Sequence, residues 1–194
     1  MANKSKLWCG LSRATKQSWR TWAKSIRVLL ASGDWRLVSA AKAFTVIMAN
    51  RALAGAAANP TAVPVATTWL DGALTIEDAG PFTENAGYVG LHVAQTLAAA
   101  TKWFVWATPP VTGAEVEPRP NFRFVKMLAL SPVTLGDLVP DFGPDYQLVH
   151  GPWDGPGTEG AWPADHFIYF RVHHYFDGQL SPGVTLKGRI QVEL

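Results

Sequence analysis

The sequence predicts a mainly β protein, an eight-stranded antiparallel sandwich set behind an N-terminal helical basic segment. Three observations carry this. Apolar residues recur at three- and four-residue spacing as far as about Ala56, the period of a helix face. From Thr61 onward the texture changes to short β-branched and aromatic runs separated by Pro, Gly, Asn and Asp, the signature of strands and turns. Charge divides at nearly the same place. Residues 1–51 hold ten Lys and Arg against the single acid Asp34, whereas the remaining 143 residues hold seven against fourteen Asp and Glu. A chain of 194 residues suits one cored domain and an appendage. The expected boundaries are an amphipathic helical arm over 1–58 and a β-sandwich over 61–194.

The first helix is predicted from Trp8, Leu11, Thr15, Trp19, Trp22, Ile26 and Leu29, which align on one face. Arg13, Lys16, Arg20, Lys24 and Arg27 align on an adjacent flank at about 100° per residue, with no acid among them. Ser32-Gly33-Asp34 reads as a break, Gly33 suiting a helix stop and Asp34 an N-cap. A second helix, Trp35 to about Ala56, aligns Val38, Ala41, Thr45, Met48 and Ala52, and Asn59-Pro60 ends it.

The predicted strands are Ala62–Leu70, Ala73–Glu77, Gly87–Thr96, Lys102–Ala107, Phe122–Leu130, Tyr146–His150, Asp165–Phe176 and Val184–Leu194. The last alternates Val184, Leu186, Gly188, Ile190, Val192 and Leu194 with Thr185, Lys187, Arg189, Gln191 and Glu193, as a half-buried antiparallel strand does. Its neighbour, DHFIYFRVHHYF, is aromatic on both faces and so belongs between two layers or in a contact between copies. Asp177 to Gly183 has the residues of a hairpin connection, and VTLGDL, Val133 to Leu138, reads as one helical turn. Eight antiparallel strands with several long connections favour a two-sheet sandwich, of which the jelly roll is the eight-strand form.

Catalytic chemistry finds no anchor in this sequence. The lone Cys9 excludes an intrachain disulfide; no G-x-S-x-G and no phosphate-cradling glycine loop occurs. His150, Asp154, Glu159, Asp165 and His166 frame one loop, and His173-His174 follow. Adjacent histidines on a regular strand point to opposite faces, whereas the jelly-roll metal enzymes of the cupin family carry H-x-H. No catalytic residue, metal or cofactor is therefore expected. Asp141 and Asp145 in DFGPD offer two oxygen donors for a structural cation, or simply make the turn. Trp153 and Trp162, with Trp103 and Trp106, suggest sugar stacking, although Trp103 and Trp106 point to opposite sides of a strand without a bulge. Lys42 and Arg51 interrupt the best apolar stretch, Leu37 to Ala58, so no membrane span is expected. That stretch also lacks the layout of a secretory signal.

A basic stripe beside tryptophans suits phosphate neutralisation with ring stacking or packing; the alternatives are a helix that docks its Trp face on the domain and leaves its cations in water, and a helix lying on an anionic membrane surface. The basic arm, the linker ALAGAAANPTAVP and the ending SPGVTLKGRIQVEL together are similar in layout to the coat proteins of small icosahedral positive-strand RNA viruses. The resemblance implies a jelly-roll shell domain over about Thr61–Leu194 that assembles with copies of itself. It also implies a virion put together in the host cytoplasm, and non-specific contact with packaged RNA through Lys4, Lys6, Arg13, Lys16, Arg20, Lys24 and Arg27. Arms of that family are typically polar, Arg-rich and disordered; this one carries Trp8, Trp19, Trp22 and Trp35 with helical periodicity. The alternative is a secreted or surface β-sandwich that binds carbohydrate or protein.

Overall fold

The computed structural model describes residues 4–30, 35–56, 59–65, 76–79, 82–83, 91–93, 101–112, 121–130, 143–151, 154–155, 158–159 and 166–191. It is mainly β, with a large antiparallel sheet and four helices among these residues. In chain order the elements are α1 (Lys4–Gly10), α2 (Arg13–Ala23), β1 (Val28–Leu29), β2 (Trp35–Arg36), α3 (Ala40–Leu53), β3 (Ile76–Ala79), β4 (Phe82–Thr83), β5 (Leu91–Val93) and β6 (Thr101–Ala107). There follow β7 (Val111–Thr112), β8 (Arg123–Leu130), α4 (Gly143–His150), β9 (Asp154–Gly155), β10 (Thr158–Glu159), β11 (His166–Phe176), β12 (Gln179–Leu180) and β13 (Val184–Gln191). Two compact units result: a helical unit of Met1–Leu70 with Tyr175–Pro182, and a β unit of Asp71–His174 with Gly183–Leu194.

In the helical unit, the first predicted helix is two. The chain leaves α1 at Gly10, and Ser12 takes an extended backbone and accepts a hydrogen bond from the Thr15 amide at 3.1 Å, the geometry of an N-cap. α2 stops at Ala23, so Ile26 and Arg27 lie beyond it and Val28–Leu29 pair with Arg36 and Trp35 as a short hairpin. The second helix begins at Ala40, capped by Ser39; the predicted cap Asp34 lies outside the described residues. It ends at Leu53 with Gly55 at φ +65°, where the Gly55 and Ala56 amides return to the Ala52 and Arg51 carbonyls. These bonds satisfy the last carbonyls of α3.

α2 packs on α3 through Trp19, which is fully buried. Its ring meets Phe44 edge-on at 5.2 Å and Trp22 at 5.7 Å, arrangements favoured by the ring quadrupoles. Trp8 of α1 joins Phe44 at 5.4 Å, and Ala43, Ile47 and Met48 complete the core. Trp19 Nε1 donates to the Pro60 carbonyl at 3.3 Å. A polar hub lies beside this core. The buried Arg51 donates from Nε and Nη2 to one Asp177 carboxylate oxygen, at 3.1 and 2.8 Å, and from Nη1 to the Asn59 and Ala62 carbonyls. Asn50 donates to the Gly178 carbonyl at 2.8 Å, and Gln179 to that of Val65 at 2.7 Å. The seven-residue connection predicted between the last two strands is shorter. Phe176 pairs Gln179 across a two-residue turn in which Asp177 and Gly178 both have positive φ, the backbone that closes twisted hairpins.

The β unit is built on β11, flanked by β13 and β6 in the order β4-β13-β11-β6-β8. All these neighbours are antiparallel except β4, which runs parallel to β13. The predicted strands at 102–107, 122–130, 165–176 and 184–194 correspond to β6, β8, β11 and β13. Burial along β13 alternates as expected. β7 continues the edge of β6 against β11, and the break between them is Thr108-Pro109-Pro110. Proline has no N–H for a ladder. Thr108 compensates: its amide donates to the Tyr169 carbonyl at 3.0 Å, and its hydroxyl accepts the Tyr169 amide at 3.1 Å. A register shift opposite Val105 and Trp106 makes Val125 an extra residue in β8. Ile76–Ala79 and Leu91–Val93 form a separate two-stranded ladder. Residues 66–70, and the turn at Val133 to Leu138, lie outside the described residues.

The strand predicted at Tyr146–His150 is instead part of α4. Pro144 and Asp145 occupy its first turn, where a fixed φ and a negative charge suit a helix start. Helical spacing places Tyr146 and His150 ring against ring, 4.7 Å apart. Asp145 pairs with Lys126 at 2.6 Å.

The two glycines in the helical unit separate backbone strain from steric conflict. Gly55→Ala meets only the positive φ and should cost about 1 kcal/mol. Gly178→Ala, at φ +85°, would also place Cβ 2.7 Å from Ile47 Cγ2 and 3.0 Å from its carbonyl oxygen, and should cost about 2–4 kcal/mol. Chemical denaturation of both variants measures this; equal losses would refute the packing assigned to the Asp177-Gly178 turn.

Candidate nucleic-acid interface

The seven cations picked out in the sequence distribute over α1, α2 and the segment after it. Lys6, Arg13, Arg20, Lys24 and Arg27 are exposed, while Trp19, Trp22 and Ala23 of the same stretch are buried. α2 therefore resolves its two competing faces in one direction, rings inward and cations outward. None of these five cations makes an ion pair with a described residue, in contrast to Arg51 and Lys126. Lys16 differs. It is half-buried, and its ammonium donates to the Cys9 carbonyl at 2.8 Å, one of the last carbonyls of α1, a position that favours a cation. Lys4 begins α1, but its side chain is outside the described set.

The helical unit holds ten Lys and Arg against Asp34 and Asp177, a formal +8, and the β unit holds the other seven against thirteen acids, a formal −6. Arg51 contributes to that excess but is committed internally to Asp177. Arg27 ends the stripe just before β1. From Arg13 to Lys24 the stripe extends about 16 Å at 1.5 Å per residue, the axial length of about five nucleotides of one strand.

Among the described residues no three His, Cys, Asp or Glu side chains lie close enough to hold an ion. The side chains of Asp154 and Glu159 are not described, and Asp141, Trp153, Trp162 and Asp165 lie outside the described residues. His173 is buried and faces Trp106 edge-on at 5.1 Å; His174 pairs Trp103 in the register, on the opposite face. Trp103 and Trp106 occupy opposite sides of β6, because the bulge is across from them in β8. Cys9 is exposed in α1. No helix among the described residues is long and apolar enough to cross a membrane.

His150 has a different significance. Its Nε2 is buried without a hydrogen-bond partner, and Tyr146, beside it, donates its hydroxyl to the Thr108 carbonyl at 2.8 Å. Burial first, and the nearby Arg123 charge second, lower the His150 pKa from 6.5 to about 4, against a smaller opposing effect of a hydrogen bond with the Ala107 backbone. The folded protein thus holds His150 neutral where the unfolded chain would bind a proton. Its contribution to stability is complete above pH 6.5 and is lost as the pH falls from 6.5 towards 4. Burial lowers His174 in the same direction. Urea midpoints should drop across that window, and His150→Phe should flatten the decline; an unchanged slope would contradict this assignment.

No protein-family profile, no curated protein and no solved structure matches this chain.

Proposed function

We propose that this chain is a structural coat subunit. Its β unit forms a jelly-roll shell domain that assembles with copies of itself, and its N-terminal helices bind packaged nucleic acid, RNA in particular, without sequence specificity. The contacts assigned are Lys4, Lys6, Arg13, Lys16, Arg20, Lys24 and Arg27, with Lys16 reaching phosphate only by sharing the ammonium that caps α1. The carrying observation is the division of α2: Trp19 and Trp22 are buried while Arg13, Arg20 and Lys24 face solvent in a unit with almost no acids. Rings locked in a core do not stack on bases, so recognition by α2 is electrostatic and sequence-tolerant. Ile168, Tyr169 and Phe170, which alternate between the two faces of β11, are all buried, which supports a layered domain. Particle assembly in a host cell, and the virion as the site of action, belong to the same proposal.

Counterion release makes it quantitative. Five exposed cations contacting a single strand contribute about −3.5 to the slope of log K against log salt. Replacing Arg13, Arg20, Lys24 and Arg27 by Gln should remove about 2.8 of it while leaving the thermal midpoint near its original value. Binding of a labelled oligonucleotide between 50 and 200 mM salt reads this, and an unchanged slope in the quadruple variant would end the role assigned to the helices.

A further inference from the structure

The cationic stripe is not uniform along its length. Near the end of α2 it borders an open cleft of about 460 Å³, lined by Arg20, Ala23 and Lys24 on one side and by Leu37, Ser39 and Ala40 on the other. Arg20 and Lys24 stand one helical turn apart, about 6 Å along the axis. Both are exposed, and neither side chain pairs with a described residue. The opposite wall is the start of α3. Ser39 Oγ accepts the Lys42 amide at 3.3 Å, and the Ser39 carbonyl the Ala43 amide at 2.9 Å. The Ala40 and Ala41 amides are left without an acceptor among the described residues, as the first amides of a helix are. The first turn of α3 holds no acid and carries the exposed Lys42. Asp34, the one acid of residues 1–70, lies outside the described residues.

We infer that this cleft is the phosphate seat of the helical unit: a phosphodiester of single-stranded nucleic acid lodges between Arg20, Lys24 and the start of α3, with Leu37 beside its sugar. The inference rests on the nucleic-acid binding proposed for the helices and states where along the stripe the backbone is gripped. Charge is the first argument. Arg20, Lys24 and Lys42 gather near the partial positive charge of a helix start, and such a cluster repels itself until an anion enters it. A surface that only confers solubility mixes both signs. The second argument is convergence. A guanidinium and an ammonium approach from one wall, the Ala40 amide and the Ser39 hydroxyl from the other. The Ser39 oxygen already accepts from Lys42, so its proton is the group left to donate. Phosphate oxygens accept from several directions at once, and donors on two walls hold them more firmly than a single flank of cations does. Arg13 and Arg27 lie outside this cleft and meet the strand from one side only.

The test uses the full chain and a labelled 12-nucleotide oligouridylate, with anisotropy titrations at several salt concentrations. Two double variants remove equal charge: Arg20→Gln with Lys24→Gln inside the cleft, and Arg13→Gln with Arg27→Gln outside it. Counterion release alone predicts the same loss for both, about 1.4 in salt slope. The seat predicts that the cleft pair loses about tenfold more affinity than the outer pair. Ser39→Asp is the sharper probe. Asp caps a helix as well as Ser does, so the thermal midpoint should hold or rise, while a carboxylate enters the place assigned to phosphate. It should weaken oligouridylate about tenfold more than Gln17→Asp, the same charge change on the exposed side of α2. Equal losses in the two double variants, or in the two Asp variants, overturn the seat and leave the stripe standing. Displacement of oligouridylate by polyglutamate as readily as by unlabelled oligouridylate also overturns it, in favour of an acidic protein partner. If none of the four variants alters binding, the helical reading falls and the seat with it.

Discussion

The contact of Trp19 with Phe44 decides what the N-terminal region presents to solvent. A helix can bury only one stripe, and full burial of a side chain of this size is worth roughly 2–3 kcal/mol, far more than any exposed cation gains from its surroundings. Once Trp19 is seated between Phe44 and Trp22, the rotation of α2 is fixed, and Arg13, Arg20 and Lys24 have nowhere to go but outward. The cationic face is a consequence of packing. That separates this region from a flexible polycationic tail, whose charges adapt to their ligand at an entropic cost.

Arg51 gives the same unit its closure. A buried guanidinium is costly unless all its donors find acceptors. Here four hydrogen bonds converge: Nε and Nη2 donate to one Asp177 oxygen, and Nη1 to the Asn59 and Ala62 carbonyls. Asn50, one residue earlier on α3, holds the Gly178 carbonyl. The tight turn at 177–178 and the segment after α3 are therefore fixed to one helix by adjacent residues. Deleting the N-terminal helices through α3 would leave Asp177 and the Gly178 carbonyl without these partners, so substitution of surface cations probes the interface more cleanly than truncation.

Legibility in the sequence followed the strength of each periodic signal. β11 and β13 were readable because eleven and eight residues of alternation leave one register that buries the apolar set. The two-faced character of α2 was readable from the spacing of its tryptophans and arginines. Periodicity hid the boundary at Ser12: the apolar spacing continues from Leu7 and Trp8 through Leu11 and Thr15, although Gly10 and Ser12 are themselves stop and cap residues. In α4 the five-residue run Tyr146–His150 reads as a strand only if Pro144-Asp145, which marks a helix start, is passed over. The Asp177-Gly178 pair carries the short-hairpin signal, but the Pro and Gly that follow drew the loop longer. Arg51 counted as one charge among ten, because its burial depends on Asp177, 126 residues away.

Sedimentation velocity of the purified protein, with absorbance recorded at nucleic-acid and protein wavelengths, tests the proposed self-assembling subunit that holds nucleic acid through a packed helical stripe. The prediction is a large particle that carries nucleic acid and releases it when the salt is raised. A monomer that sediments alike at low and high salt, with the absorbance of protein only, would contradict it.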